Sequence, residues 1–248
     1  MGHRILFRIS VVLILLVPSS GSCLNTVTGV KAGAGLFSYV GEDYQEFLDV
    51  YNLQNYFKWG LAAGAFVTLE LTDYFAFQPE LLVIGAGDAV REDASLYDTL
   101  LWGPYYGKVT NIDAITHAAI PILIKARLWR ISIFIGPTLM LMLGNGRLRL
   151  QADDEALQYD FDSVGWSSLD YADGVFSSFA LAVTGGTGVE LPFQRRRGVF
   201  SLEARGYYVF TNILDPSQGS VFQAYGIMIM AGYGLDSKGR EHRRSKIR

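Results

Sequence analysis

From residue 29 to residue 235, apolar positions alternate with small or polar ones at a period of two. Phe75, Phe77, Leu81 and Val83 share one parity, while Gln78 and Glu80 share the other. Leu202, Ala204, Tyr208 and Phe210 stand in the same relation to Glu203 and Arg205. Alternate side chains of a strand point to opposite faces, so each stretch predicts a strand with one greasy and one polar face. Eight segments follow this pattern: 29–39, 58–71, 75–85, 112–127, 131–144, 175–193, 199–210 and 221–235. Most exceed the usual ~5–6 residues of a soluble strand and reach the ~9–11 needed to cross a bilayer at a tilt.

The connections between these segments alternate in length, at about 18, 3, 26, 3, 30, 5 and 10 residues. Tight turns on one side and long loops on the other are the signature of an up-and-down barrel in an outer membrane. The expected fold is therefore all-β: an eight-stranded antiparallel up-and-down transmembrane β-barrel spanning 28–235, with long outer loops and short periplasmic turns. A helical hairpin over 112–144 is the competing reading. Its arms are short, each carries a proline (Pro121, Pro137), and both are rich in β-branched Ile. Those prolines also require local breaks in the strand pairing, because a closed barrel has no edge to host them.

The N-terminus predicts a signal peptide over 1–22. Arg4 and Arg8 form its basic start, Ile9 to Val17 its apolar stretch, and Pro18 to Ser22 its small-residue exit. Nine apolar residues are far fewer than the ~20 of a spanning helix. Cys23 raises the alternative of a lipid anchor, but Ser20 stands where a lipoprotein signal carries Leu. Removing the signal takes the formal charge from −3 to −5, since it carries two arginines and no acid. Residues 236–248 form a basic tail that is expected to lie disordered in the periplasm.

Charge sorts with loop length. The four long loops hold 16 of the 24 acidic residues against only Arg91, Lys108, Arg147 and Arg149, a net of −12. Arg127, Arg130 and Arg195 to Arg197 cluster at the short turns, and six more Lys or Arg follow Leu235. An acidic rim disfavours a leaflet dense in phosphate unless divalent cations intervene.

Composition narrows the function classes. Half of the residues are apolar and only 18% are charged, which excludes a disordered chain. One Cys and three His exclude a disulfide framework and a multi-ligand zinc centre, and no metal or other cofactor is expected. The net negative charge gives no footing for nucleic acid. Catalytic motifs fail their context tests. Gly85-Ala-Gly87 lacks the third glycine of a dinucleotide loop, which Val90 occupies. His117 lacks the serine two residues on that lipid A deacylases carry, that position being Ala119. The acidic run Asp153 to Glu155, with Asp160 and Asp162, lacks the glycine turn and terminal Glu of a calcium loop and predicts a solvated loop. No catalytic residue is assigned, and a non-enzymatic protein is expected.

Parity assigns the interior instead. Lys31, Glu70, Glu80, Lys125, Glu190, Glu203 and Arg205 face inward in the periplasmic half, where an ion-paired plug is expected because unpaired buried charges are costly. Met140, Met142, Met228 and Met230 share inward parity in the outer half, facing small residues such as Gly64 and Ala182. That arrangement is either gap-filling or an apolar lumen pocket.

Ile120-Pro-Ile-Leu-Ile-Lys125, then Ile135-Gly-Pro-Thr138, and the opening Gly29-Val-Lys-Ala-Gly-Ala-Gly-Leu36 carry a resemblance to a known family. The chain resembles the small outer-membrane β-barrel domains, including the PorT-type and outer-membrane protein W- or X-like members. The resemblance implies an outer-membrane location, insertion by the barrel-assembly machinery and contact with outer-membrane lipid. The chain departs from the usual terminal aromatic: Leu235 precedes a 13-residue tail, and Tyr233 is the nearest aromatic. Two functions follow as expectations. One is a surface-exposed structural or interaction scaffold whose acidic loops meet a surface ligand. The other is a narrow channel for small hydrophobic solutes through the Met-lined outer lumen. A soluble lipocalin-type barrel is disfavoured by the apolar outward stripe of Ile120, Ile122, Ile124, Ile133 and Leu139.

Overall fold

The structure, a computed structural model, describes residues 25–94, 105–143, 146–165, 167–170, 176–192, 198–214 and 220–237. The expected signal peptide, Cys23, Arg195 to Arg197 and residues 238–248 of the tail lie outside them. In chain order the elements are β1 (Asn25–Val40), α1 (Glu42–Val50), β2 (Gln54–Tyr56), β3 (Lys58–Glu70), β4 (Phe75–Ala86), β5 (Ala89–Asp93) and β6 (Lys108–Leu128). Then come β7 (Ile131–Met142), β8 (Arg147–Ala152), α2 (Glu155–Val164), β9 (Leu169–Asp170), β10 (Phe179–Pro192), β11 (Gly198–Val209) and β12 (Gln223–Asp236).

Eight of these strands close a ring. β1 pairs with β3, β3 with β4, β4 with β6, β6 with β7, β7 with β10, β10 with β11, β11 with β12, and β12 back with β1. Every pairing is antiparallel, so no barrel strand is left with an open edge. All eight expected strands are present. The ring begins earlier than expected, at Asn25, and runs one residue past Leu235. Asp236 pairs with Val27, and the Ser237 N–H donates to the Thr26 carbonyl at 2.9 Å. The tail as read from the sequence therefore starts inside the barrel.

The prolines find their breaks without bulges. Between β4 and β6 the register runs Pro79↔Ile122 and resumes at Leu82↔Ala119. Between β6 and β7 it runs Pro121↔Thr138 and resumes at Ile124↔Ile135. Each gap keeps the register sum, so side-chain parity is undisturbed where a donor is missing.

The wall is apolar outside. Val30, Leu61, Ile124, Ile133, Ile135, Ile227 and Ile229 are all exposed. Exposed Tyr74, Phe75, Trp129 and Tyr233 lie toward the short-turn end, and Phe57, Trp59, Tyr208 and Phe210 toward the other. Two aromatic girdles around an apolar band are what a bilayer and its interfaces select. Trp129 takes φ 57 in the two-residue turn between β6 and β7, and the Arg130 guanidinium lies 4.8 Å over its ring.

The long loops are built rather than loose. β6 is 21 residues long, ~70 Å at ~3.3 Å per residue, and it outruns the membrane. Its first part pairs with β5 and β8, which pair with β2 and β9, making a second sheet above the barrel. The acidic run expected to be a solvated loop instead starts α2. Asp154 caps it, accepting from the Leu157 and Ala156 N–H groups at 3.2 and 2.8 Å, and the Leu157, Tyr106 and Ala156 donors together hold its carboxyl below the usual range. Gly165 closes the helix at φ 76, a left-handed conformation that suits glycine. Leu157 and Phe161 bury α2 against Val109 and Leu150.

Candidate functional site

The lumen divides into three layers from the turn end to the loop end. The first is ionic. Lys31 (β1) lies 2.8 Å from Glu80 (β4) and 3.0 Å from Glu203 (β11). Arg205 grips Glu80 with two bonds, 2.6 and 2.8 Å, and its Nε donates to Glu203 at 2.9 Å. Such bidentate, charge-assisted pairs are among the strongest hydrogen bonds available. Lys125 (β6) reaches Glu190 (β10) at 2.8 Å and Glu203 at 3.4 Å. Arg127 bonds Glu70 (β3) at 2.6 Å and lies 3.5 Å from Glu190.

The structure thus brings all seven inward charges named from parity into one network, and adds Arg127 as an eighth. Four cations meet four carboxylates, so the layer is neutral. Arg127 shares the parity of Lys125 at the last position of the expected strand 112–127, and the sequence reading counted it only with the basic short-turn side. Uncharged side chains complete the lattice: Gln78 donates to Glu80 at 2.5 Å and accepts from Lys125 at 3.2 Å, and Thr68 donates to Gln78 at 2.8 Å. Phe134 carries the Arg205 guanidinium 5.0 Å over its ring, and Phe66 carries Lys31 at 4.6 Å.

The second layer is apolar. Met140, Met228 and Met230 are buried with Ala62, Ala119, Ala182 and Leu82. Above them Phe37 lies 5.5 Å, centroid to centroid, from Tyr207. A Cβ added at Gly60 or at Gly226 would strike the Phe37 ring, so these two glycines let the ring lie across the lumen. Two of the residues named for a pocket stand apart. Met142 is only half-buried at the rim, and Gly64 pairs with Lys31 in the ionic layer, where an added Cβ would collide with the Leu81 carbonyl. Met228 and Met230 pack within this layer, while Met140 also borders a small cavity. A cavity of about 20 Å³ remains beside Phe37, His117 and Met140, and one of about 10 Å³ beside Lys125 and Glu203. Each has room for about one water.

The third layer caps the mouth. Tyr44 of α1 donates to Asp88, between β4 and β5, and Ser38 Oγ donates to the same carboxylate at 3.1 Å. The Tyr44 ring packs edge-on against Tyr39 at 5.9 Å and Phe222 at 5.1 Å. Lys58 Nζ donates to the Asp113 carbonyl and, at 3.3 Å, to that of Ala86. Asp88 is 1% exposed. Burial pushes its carboxyl up to about 6, against the opposing pull of its Tyr44, Ala89 and Ser38 donors. Burial, and then the Asp88 charge, raise the Tyr44 phenol. Nothing local in the sequence marks this pair, which only the folding of α1 over the mouth brings together.

A family model described as an outer membrane protein beta-barrel domain matches residues 29–215. The chain belongs to this family. Its closed ring, apolar wall and paired girdles are the physical form of that membership, and the protein is embedded in the lipid of the bacterial outer membrane. No curated protein sequence matches the chain significantly. Among solved structures, the attachment invasion locus protein Ail of Yersinia pestis is 9% identical, with a TM-score of 0.40 over 85% of this chain and 99% of that one. Neisserial surface protein A is 11% identical, with a TM-score of 0.38 over 85% and 96%. The outer membrane protein OprG from Pseudomonas aeruginosa is 11% identical, with a TM-score of 0.37 over 86% and 94%. At these scores the barrel assignment rests on the family match and on the strand ring.

Proposed function

We propose that the protein is a non-enzymatic, surface-exposed interaction scaffold: the barrel anchors it, the filled lumen keeps it closed, and the structured outer loops meet a ligand. One observation carries this reading. Two cavities among the described residues of the lumen, about 20 and 10 Å³, are each the size of a water, and even a small hydrocarbon is several times larger. Closure of the lumen favours the scaffold over a conduit for hydrophobic solutes, for which three layers would have to open in sequence. By contrast, most of the ordered structure outside the ring (α1, α2, β2, β5, β8 and β9) is invested in the loop end.

The test is permeability of liposomes carrying the refolded mature protein. Bilayer conductance and uptake of a small hydrophobic probe are expected to stay at the level of protein-free vesicles. Steady conductance, or uptake that saturates and vanishes on substituting Ala182→Trp, would overturn the scaffold reading in favour of a channel.

A further inference from the structure

We propose that the cleft between α1 and the outer sheet binds an organic cation, a protonated amine carrying an aromatic or alkyl body. The inference rests on the scaffold reading and names the ligand class its loop end would take. The cleft has a volume of about 550 Å³, within the size range of small-molecule sites. Six rings line it: Tyr39, Tyr44, Phe47, Tyr51, Phe176 and Phe222. Leu148 and Leu150 of β8 close the opposite side. The floor is the capped mouth of the barrel, so an apolar body placed here is held over packed protein.

The charge of the cleft is one-sided. Asp88, Glu92 and Asp113 line it, and no Lys, Arg or His does so among the described residues. Lys58, the basic group whose charge acts on Asp88 and Asp113, directs its Nζ to the carbonyls of Ala86 and Asp113. On the neighbouring strands Arg91, Lys108 and Arg147 pair with Asp153, Asp93 and Asp170 at the surface, and exposed Arg149 alternates with Leu148 and Leu150 along β8, off the cleft lining. Asn111 adds an acceptor: its Nδ2 donates to Glu92 at 2.7 Å, while its buried Oδ1 has no hydrogen-bond partner. Carboxylates beside aromatic faces attract a cation twice over, through charge and through the ring quadrupoles. No group of three acidic, His or Cys side chains among the described residues is placed to hold a metal ion. That spacing suits a diffuse organic charge better than a compact inorganic one. The surrounding loops, net −12, raise the local concentration of any cation approaching them.

A charge series of one shape tests this: 4-phenylbutylammonium, 4-phenylbutanol and 4-phenylbutyrate, titrated by calorimetry against the refolded protein in zwitterionic nanodiscs. The ammonium is expected to bind at least ~10-fold more tightly than the alcohol, with no measurable butyrate binding. Glu92→Gln with Asp113→Asn should bring ammonium and alcohol within about threefold, leaving the alcohol unchanged. The single Glu92→Gln variant, which keeps an acceptor for Asn111, should give an intermediate preference and serves if the double variant fails to fold. Equal binding of alcohol and ammonium, or a cation preference that survives both variants, would overturn the proposal. Ammonium entry into protein-loaded vesicles would instead sink the closed-scaffold reading while leaving the cleft intact.

Discussion

The two ends of the lumen are filled by opposite means. Toward the turns, eight charged side chains pair across six strands. Toward the loops, methionines and rings pack against alanines and glycines. The ionic layer is directional: each carboxylate accepts from partners on other strands, so it fixes which strands meet and in which register. The apolar layer is adaptable, since thioethers follow the shape of the space they are given. A barrel of eight strands has interior enough for side chains alone, and both solutions fill it with them. They differ in how they fail. The ionic layer fails all at once when a partner is lost, whereas the apolar layer fails in proportion to the volume removed.

The largest expected effect follows from that contrast. Arg205→Ala leaves Glu80 and Glu203 buried without their main cation and should cost about 3–5 kcal/mol in urea unfolding of the refolded protein. Pairing Arg205→Met with Glu80→Gln keeps the layer neutral and should recover at least half of that loss. If the double variant is no better than the single one, the layer is not acting as a set of balanced charges. On the apolar side, Met230→Ala should cost about 2–4 kcal/mol, while Met230→Leu, which keeps the volume, should cost under ~1.5 kcal/mol. Equal losses for both would mean that the thioether makes a specific contact rather than filling space.

The cap should respond to pH. Asp88 has its carboxyl raised to about 6 in the folded protein, against an ordinary value of 3.8. The folded state therefore holds a proton that the unfolded chain releases. Docking of α1 is strongest below pH ~4 and weakens as pH rises through ~6, on the order of 2–3 kcal/mol in all. Lys58, whose amine burial holds below its ordinary value against the pull of Asp113 and Asp88, shares the site with both carboxylates. Hydrogen-exchange protection of α1 amides, corrected for intrinsic rates, should fall between pH 4 and 6.5, and Asp88→Asn should flatten that dependence. A slope unchanged in the variant would assign it to another group. The smallest effect belongs to the surface. Arg147 and Asp170 pair at 2.9 Å but are both more than half exposed, so Arg147→Ala should change stability by less than ~0.5 kcal/mol. A larger loss would mean that β8 and β9 depend on that pair for their register.

Sequence and structure divide unevenly between wall and loops. In the wall, period-two alternation is a local property, and a strand cannot turn one side chain inward without turning its neighbour outward. Eight strands, their direction and the inward parity of Lys31, Glu80, Lys125 and Glu203 were therefore legible in the chain. Arg127 was within reach too, since it ends the same expected strand at the parity of Lys125. The loops hold no such period. Asp154 capping a helix could be suspected from its residue type, yet α1 over the mouth, β8 beside β6 and Tyr44 against Asp88 involve contacts that no local pattern encodes.

Composition and alternation alone thus determined a membrane-spanning barrel with a charged interior, because each follows from where the solvent and the lipid lie. Tertiary structure decided whether that interior is open. Closure depends on how much volume the side chains of eight strands fill at each level, and on a helix that folds back over the mouth. Volume at a point in space is a sum over residues distant in sequence, and only the folded chain performs it.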